Sequence, residues 1–237
     1  MRYAIYYVPA ADSPLGDFGA RVLGYDIERA AAGERLPLPG IGVDRLVQVT
    51  RRAARYGFHA TLKAPFRLAA GCSKIDILKA TADTADRCHP VTVPGLEVAT
   101  LGNFVALRPL QHSVELDAIA AAFVQDLDPL RAKGPRDEKR WPPGSLSAHQ
   151  EELLDAWGYP YVLDQYRFHM TLTDALDADE VAVFSDALRM AGVGLLGVPL
   201  TIDSVTVMEE SSPAAPFRLA ARFRLRGLRR DRAIPSE

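Results

Sequence analysis

The strongest constraint on this chain is a seven-residue pattern that occurs twice. Tyr56-Gly57-Phe58-His59-Ala60-Thr61-Leu62 and Tyr166-Arg167-Phe168-His169-Met170-Thr171-Leu172 both read Tyr-x-Phe-His-x-Thr-Leu, 110 residues apart. Apolar and polar residues alternate in each copy, the period of a strand with two different faces. Parity directs Phe58, Ala60 and Leu62, with Tyr166, Phe168, Met170 and Leu172, towards a core. It directs His59, Thr61 and Lys63, with Arg167, His169, Thr171 and Thr173, to the opposite face. Two such strands lining one groove would surround a substrate with two imidazoles and two hydroxyls. A lone His-x-Thr carries little information, because most such histidines are hydrogen-bonded structural residues. The second copy, in the same context, is what points to function.

The surroundings of the two motifs also repeat. A strand over 2–8 and a helix over 14–31, started by Ser13 and Pro14, precede a Gly- and Pro-rich loop and the basic stretch Arg51–Arg55. After the first motif, which Pro65 ends, come a helix over 75–88 and two strands over 91–110 joined by Gly102-Asn103, a dipeptide suited to a tight hairpin. A helix over 114–127 follows. After the second motif come a helix over 177–191 and strands over 200–208 and 217–225. Phe104-Val105-Ala106-Leu107 stands 113 residues before Phe217-Arg218-Leu219-Ala220, close to the offset of the motifs. This is too long a period for a solenoid and predicts one duplicated α+β unit. The predicted fold is a single bilobal domain over 1–237, with antiparallel-sheet lobes over 1–131 and 145–237, outer helices, and a groove on a pseudo-twofold axis. The stretch 132–144 is charged and rich in Pro and Gly, and reads as the connection between lobes. Its Trp141 could serve as a lid, although a solvated connection is the commoner use. Ser147 with Gln150 three residues on reads as a capped helix start over 145–157.

Bulk properties narrow the function. The 237 residues are 48% hydrophobic and 24% charged, with a formal net charge of −2, so the surface as a whole is not built for a long polyanion. Cys72 and Cys88 form no disulfide framework and lack metal-ligand spacing, consistent with reduced thiols and a cytoplasmic location. The N-terminus is too short and aromatic for a signal peptide, and no apolar run reaches membrane-spanning length, so no membrane partner is expected.

Paired imidazoles suit phosphodiester chemistry, in which one accepts a proton from the nucleophile and the other donates one to the leaving oxygen. Thr61 and Thr171 could donate to the non-bridging oxygens as charge builds there. The five histidines (59, 89, 112, 149 and 169) form no zinc-type cluster, and the chain holds neither a Gly-rich phosphate loop nor a Gly-x-Ser-x-Gly elbow. No metal and no cofactor is therefore expected. Lys63 and Arg167 share the parity of the histidines and are candidates for a second phosphate, with a surface salt bridge as the alternative. Tyr6, Tyr56 and Tyr166 could stack on a ring or fill the core, and parity favours packing for the last two. Thr173 completes the candidate substrate-binding set of Lys63, Arg167, Tyr6 and Thr173. Arg222, Arg224 and Arg226 alternate on the last strand, with Arg229, Arg230 and Arg232 beyond, as a basic face or a charge-guarded edge.

Paired His-x-Thr motifs half a chain apart in a duplicated α+β protein resemble the 2H phosphoesterase superfamily. The resemblance rests on His59, Thr61, His169 and Thr171 and implies metal-independent opening of cyclic phosphates, or ligation of RNA ends, in a groove between lobes. The flanks Arg55–Phe66, with Tyr3-Ala4-Ile5-Tyr6-Tyr7, resemble a bacterial branch associated with phosphonate metabolism. That branch implies a cyclic phosphodiesterase acting on a small cyclic ribose phosphate, and a monomer is expected. RNA-processing members often carry a basic residue after the second motif threonine, where this chain has Thr173-Asp174. An RNA-end cyclic phosphodiesterase or ligase, and a non-catalytic nucleotide- or RNA-binding module, are the alternatives.

Overall fold

The two motif segments pair with each other. Ala60 lies opposite Met170, the equivalent residue of the second copy, in an antiparallel register. A second pairing of equivalents, Thr92 with Thr201, brings the two hydroxyls to 2.8 Å. Pairing of like with like is what a local twofold axis produces, and these two pairs mark its course.

The computed structural model describes residues 1–134, 141–142 and 144–228. Its elements in chain order are β1 (Arg2–Tyr7), α1 (Pro14–Leu23), β2 (Tyr25–Asp26), β3 (Ala31–Ala32), α2 (Val43–Tyr56), β4 (Ala60–Phe66), α3 (Lys74–Arg87), β5 (Val91–Val93), β6 (Leu96–Leu101), β7 (Phe104–Pro109), α4 (Val114–Leu127), α5 (Ala148–Trp157), β8 (Met170–Thr171), α6 (Ala178–Ala191), β9 (Leu200–Ile202), β10 (Ser204–Glu210) and β11 (Arg218–Arg224). A seven-stranded sheet has the order β11-β10-β1-β4-β8-β7-β6, and its pairings are antiparallel. The fold is α+β, as the sequence indicates.

The strand order does not follow a division at 132–144. The β6–β7 hairpin of the first half pairs with β8 of the second, and the β10–β11 hairpin of the second half pairs with β1 of the first. The physical reason is that β1 occupies the outer edge of β4, so the first hairpin finds its free edge on β8. The same inserted strand breaks the repeat at the hairpins, because β7 adjoins its motif strand while β11 is the sheet edge. The lobes are thus two half-sheets, each built from both halves of the chain, meeting at the β4–β8 seam. Most of the connection, residues 135–140 and 143, lies outside the described residues, as do Arg229, Arg230 and Arg232.

Helices α3, α4 and α6 pack on one face of the sheet. Ile77, Leu116, Phe123 and Phe184 from these helices join Ile5, Leu62, Leu107, Met170 and Leu172 in one buried core. Each such fully buried side chain contributes roughly 1.5–3 kcal/mol. On β1 the alternation is clean: Tyr3, Ile5 and Tyr7 face this core, and Ala4, Tyr6 and Val8 face a smaller cluster with Ile27, Met208 and Phe217. The second face carries the histidines.

Several local readings hold and two change. Ser147 and Gln150 form a reciprocal capping box at the start of α5. The helix expected over 14–31 stops at Leu23, because Gly24 takes φ 67° and its N–H closes the last turn on Ala20. The basic stretch Arg51–Arg55 is the last part of α2, whose Leu46, Val49, Thr50 and Ala53 are buried at helical spacing. Arg222 is tied to the Val8 carbonyl and Glu28, and Arg226 to Asp86, so the arginines of β11 guard an edge. Among the described residues no helix is long and apolar enough to cross a membrane.

Candidate active site

Both histidines are set by the same local device. His59 Nδ1 lies 2.8 Å from the Gly57 carbonyl, and His169 Nδ1 lies 2.8 Å from the Arg167 carbonyl. A carbonyl only accepts, so each Nδ1 carries the hydrogen and each Nε2 is left as the working nitrogen. Gly57 makes this possible in the first copy. It ends α2 at φ 69°, and a Cβ there would meet Ile27 at 2.4 Å.

The antiparallel register centred on Ala60 and Met170 places His59 opposite Thr171 and Thr61 opposite His169. The four side chains therefore form a square across the seam with the histidines on one diagonal, about 7–8 Å apart at the backbone. Thr61 Oγ1 is 3.1 Å from His59 Nε2, and its hydroxyl donates to that bare nitrogen. The His59 ring stacks on Tyr6 at 3.7 Å between centroids, with an interplanar angle of 23°. Phe104 lies 5.9 Å from the His169 ring. Burial pushes His59 down to about 4, against the pull of the Gly57 hydrogen bond, and the charge of His169 lowers it further. Burial also lowers His169, against the Arg167 carbonyl. In both rings burial thus favours the neutral form.

A groove of about 690 Å³ adjoins this square and is lined by its His59 and Thr171, whereas Thr61 and His169 are not among the lining residues. Its lining includes His59, Thr171, Thr173, Tyr56, Asn103 and Phe104. Arg2, Arg52 and Arg55 line its α2 side. Motif parity did not single out these arginines, since two sit on a helix and one at the start of β1; only the basic run at the end of α2 hinted at them. Arg2 Nε lies 2.5 Å from Glu210, and Arg55 also pairs with that carboxylate. Burial pushes the Glu210 carboxyl up, but the hydrogen bonds from Arg2 and Arg55 outweigh it and hold the group below its ordinary range.

The predicted substrate-binding residues fare differently. Lys63 is 3% exposed and faces α4, where its ammonium donates to the Val124 carbonyl at 2.9 Å and lies 3.7 Å from Asp128. Burial pulls it down to about 8, against the charge of Asp128. Its parity is reversed by a bulge: Tyr6 pairs with Thr61 but Ile5 pairs with Lys63, so Leu62 and Lys63 both turn inward. Arg167 is exposed, donates to the Asp164 and Tyr166 carbonyls, and edges a separate cavity of about 430 Å³ with Arg108, His112 and Asp117. Tyr6 is buried beneath His59 as its support. Thr173 is buried and its Oγ1 accepts from the Val105 N–H at 2.9 Å, a bond that ties the second motif to β7. Tyr166 packs in the core as parity indicates, while Tyr56, in α2 rather than a strand, lines the groove.

Asp174 has an unexpected place. Its N–H donates to the Val49 carbonyl at 2.5 Å, and its carboxylate accepts from the N–H groups of Arg52 and Ala53 at 2.8 Å each. The residue after the second motif is thus inserted into the hydrogen-bond ladder of the helix that leads to the first.

Two histidines anchored in the same way and two threonines thus meet across a pseudo-twofold seam of an α+β sheet, as the doubled motif led one to expect. By sequence, the chain belongs to the family described as "Protein of unknown function (DUF1045)", whose model matches residues 61–218. Among curated proteins it is 38% identical over 222 residues to "Ribose 1,5-bisphosphate phosphokinase PhnN" of Janthinobacterium sp. (strain Marseille). It is 37% identical over 221 residues to the protein of the same name from Laribacter hongkongensis (strain HLHK9). These alignments cover 91% and 92% of this chain but 49% and 50% of the relatives, so the chain spans about half their length. Among solved structures, the chain overlaps TT0787 of Thermus thermophilus with a TM-score of 0.47 at 14% identity, covering 96% of this chain and 99% of that one. It overlaps LigT of E. coli, complexed with 3'-AMP, with a TM-score of 0.44 at 13% identity, covering 94% and 97%.

Proposed function

We propose that the protein is a cyclic phosphodiesterase that opens a small cyclic ribose phosphate by histidine acid–base catalysis without a metal. The observation that carries this reading is the matched pair of histidines, each with Nδ1–H held by a carbonyl two residues back, which leaves Nε2 (in His59 accepting from the Thr61 hydroxyl) as the reacting nitrogen. One Nε2 takes the proton from water as its oxygen attacks phosphorus. The other, protonated, delivers a proton to the ribose oxygen as the P–O bond breaks. Burial favours the neutral form of both rings, so the anionic substrate itself must raise one of them to its charged form. Thr61 and Thr171 donate to the non-bridging oxygens.

The names of the relatives bear on the substrate. Opening a 5-phosphoribosyl 1,2-cyclic phosphate at the bond to O2 leaves ribose 1,5-bisphosphate, the compound in the name "Ribose 1,5-bisphosphate phosphokinase". A diesterase in one half of such a protein would supply the kinase substrate, in keeping with the phosphonate-metabolism setting that the resemblance implies. The present chain holds no Gly-x-x-x-x-Gly-Lys-Ser/Thr loop for a phosphokinase of its own.

The test is ³¹P NMR of 5-phosphoribosyl 1,2-cyclic phosphate with the purified protein, with and without EDTA. Appearance of ribose 1,5-bisphosphate in EDTA is expected. Activity that returns only with added metal would sink the histidine-only mechanism. Turnover confined to RNA ends with 2′,3′-cyclic phosphates, weakening steeply with salt, would make RNA the substrate.

A further inference from the structure

We propose that Arg52, Arg55 and Arg2 form a phosphomonoester subsite on the α2 wall of the groove, which binds the terminal phosphate of the substrate and fixes its orientation over the histidines. This rests on the cyclic phosphodiesterase reading and adds the second half of the recognition.

The first support is a charge surplus. Of the groove-lining residues, Arg2, Arg52 and Arg55 are cations, and Asp174 is the acid. Asp174 is already engaged, because its carboxylate accepts from two helix N–H groups. Arg2 and Arg55 share the single carboxylate of Glu210, which is 1% exposed. The Arg52 guanidinium is exposed and has no ion pair with the described residues. Three guanidinium charges against the carboxylates of Glu210 and Asp174 leave the wall with a surplus of one positive charge, with the Arg52 guanidinium outside any ion pair among the described residues.

The second support is preorganisation. Arg2 uses Nε and Nη2 on Glu210 and lies over the Phe217 ring at 5.8 Å. Arg55 uses Nη2 on Glu210 and Nε on the Ala215 carbonyl, and lies over the Tyr56 ring at 5.4 Å. A guanidinium has five N–H donors, so each keeps donors to spare while its plane is already fixed. Ordering these side chains costs nothing further when a phosphate arrives.

The third support is distance and sidedness. The Tyr56 ring lies 6.4 Å from the His59 ring and 5.4 Å from the Arg55 guanidinium, so the two stations are within about 12 Å of each other. A ribose with a phosphate at each end fits within that limit. The facing wall carries Asn103, Phe104, Thr173 and Ala175 and supplies no cation among the described lining residues. Lys63 and Arg167, which parity offered for this task, stand on the core face and at another cavity. The catalytic square is nearly symmetric, so this one-sided wall decides which way round the sugar lies.

The experiment uses the whole protein and three variants: Arg52→Gln, Arg55→Lys and, as a control, Arg108→Gln, whose guanidinium pairs with Glu97 at the other cavity. Arg55→Lys keeps a charge for Glu210, so it guards against a folding defect. The readout is the ratio of kcat/KM for ribose 1,2-cyclic phosphate with and without its 5-phosphate. The ratio should fall about tenfold in Arg52→Gln and in Arg55→Lys, the change expected from losing one charge-assisted hydrogen bond. In Arg108→Gln it should stay at the wild-type value. An unchanged ratio in both groove variants, with hydrolysis intact, overturns the subsite and leaves the diesterase reading standing. If wild type hydrolyses neither compound, calorimetric binding of ribose 5-phosphate decides the subsite alone. Binding that weakens about tenfold in Arg52→Gln upholds it, and no binding to wild type overturns it.

Discussion

Asp174 joins the second motif to the helix before the first, and replacing it should cost stability and activity together. Asp174→Ala removes a carboxylate that accepts from the N–H groups of Arg52 and Ala53, both at 2.8 Å. The Val49 carbonyl already receives the Asp174 N–H, so the helix has no ready replacement within its own ladder. A hydrogen bond to a charged group is worth roughly 1.5–3 kcal/mol when buried. The site is half-buried, which discounts each bond to about 1–1.5 kcal/mol. Asp174→Ala should therefore lose about 2–3 kcal/mol. Asp174→Asn keeps one oxygen acceptor and should lose about half as much. Urea unfolding by circular dichroism measures both, at unchanged m-value. Since α2 ends in the Gly57 turn that holds His59, kcat should also fall, further for Ala than for Asn. An Asp174→Ala protein within about 0.5 kcal/mol of wild type would refute the claim that this residue joins the two motifs.

His59→Ala and His169→Ala should each lower turnover by about 10²–10⁴-fold, and the double variant should lose less than the product of the two if both act in one step; steady-state kinetics decides. His59 is held down to about 4, below its unfolded value, so the folded state takes up fewer protons than the unfolded one between those limits. Stability should accordingly be flat above about pH 6.5 and fall as pH drops towards 4, with a shallower fall in His59→Gln, as urea titrations across pH 4–8 would show. Lys63→Ala should leave the KM for a 5-phosphorylated substrate unchanged but destabilise the fold by about 1–3 kcal/mol, since the buried Val124 carbonyl loses its donor while Asp128 keeps Arg131; thermal melts and kinetics on one preparation test both halves.

The motifs, most of the helices and the α+β class were legible because they are written in local patterns. Ser147 with Gln150 gives a helix start, Gly102-Asn103 a hairpin, and the doubled Tyr-x-Phe-His-x-Thr-Leu the square of His and Thr side chains. What escaped was non-local or irregular. Strand parity fails at a bulge, and the bulge near Leu62 is set by pairing with β1, far away in sequence, so Lys63 was assigned to the wrong face. Asp174 stands where RNA-processing members often carry a basic residue, and nothing in the sequence announced that its carboxylate would bind two N–H groups of α2. The strand order followed neither half, because nothing in a strand's own sequence announces which edge it will find. The arginines of the groove wall come from β1 and α2, and only the fold brings them together.

The trading of hairpins between the halves has a consequence for how the protein comes into being. β1 closes against β10 across some two hundred positions, Arg2 meeting Glu210, and β8 waits for a hairpin made long before it. Neither half contains a complete half-sheet, so a nascent chain holds unsatisfied strand edges until almost all of it has emerged. Contacts of such sequence separation slow folding. The square of His and Thr side chains is therefore among the last features to form, and a chain severed near residue 134 should regain it only when both fragments are present together, each supplying the strands the other lacks.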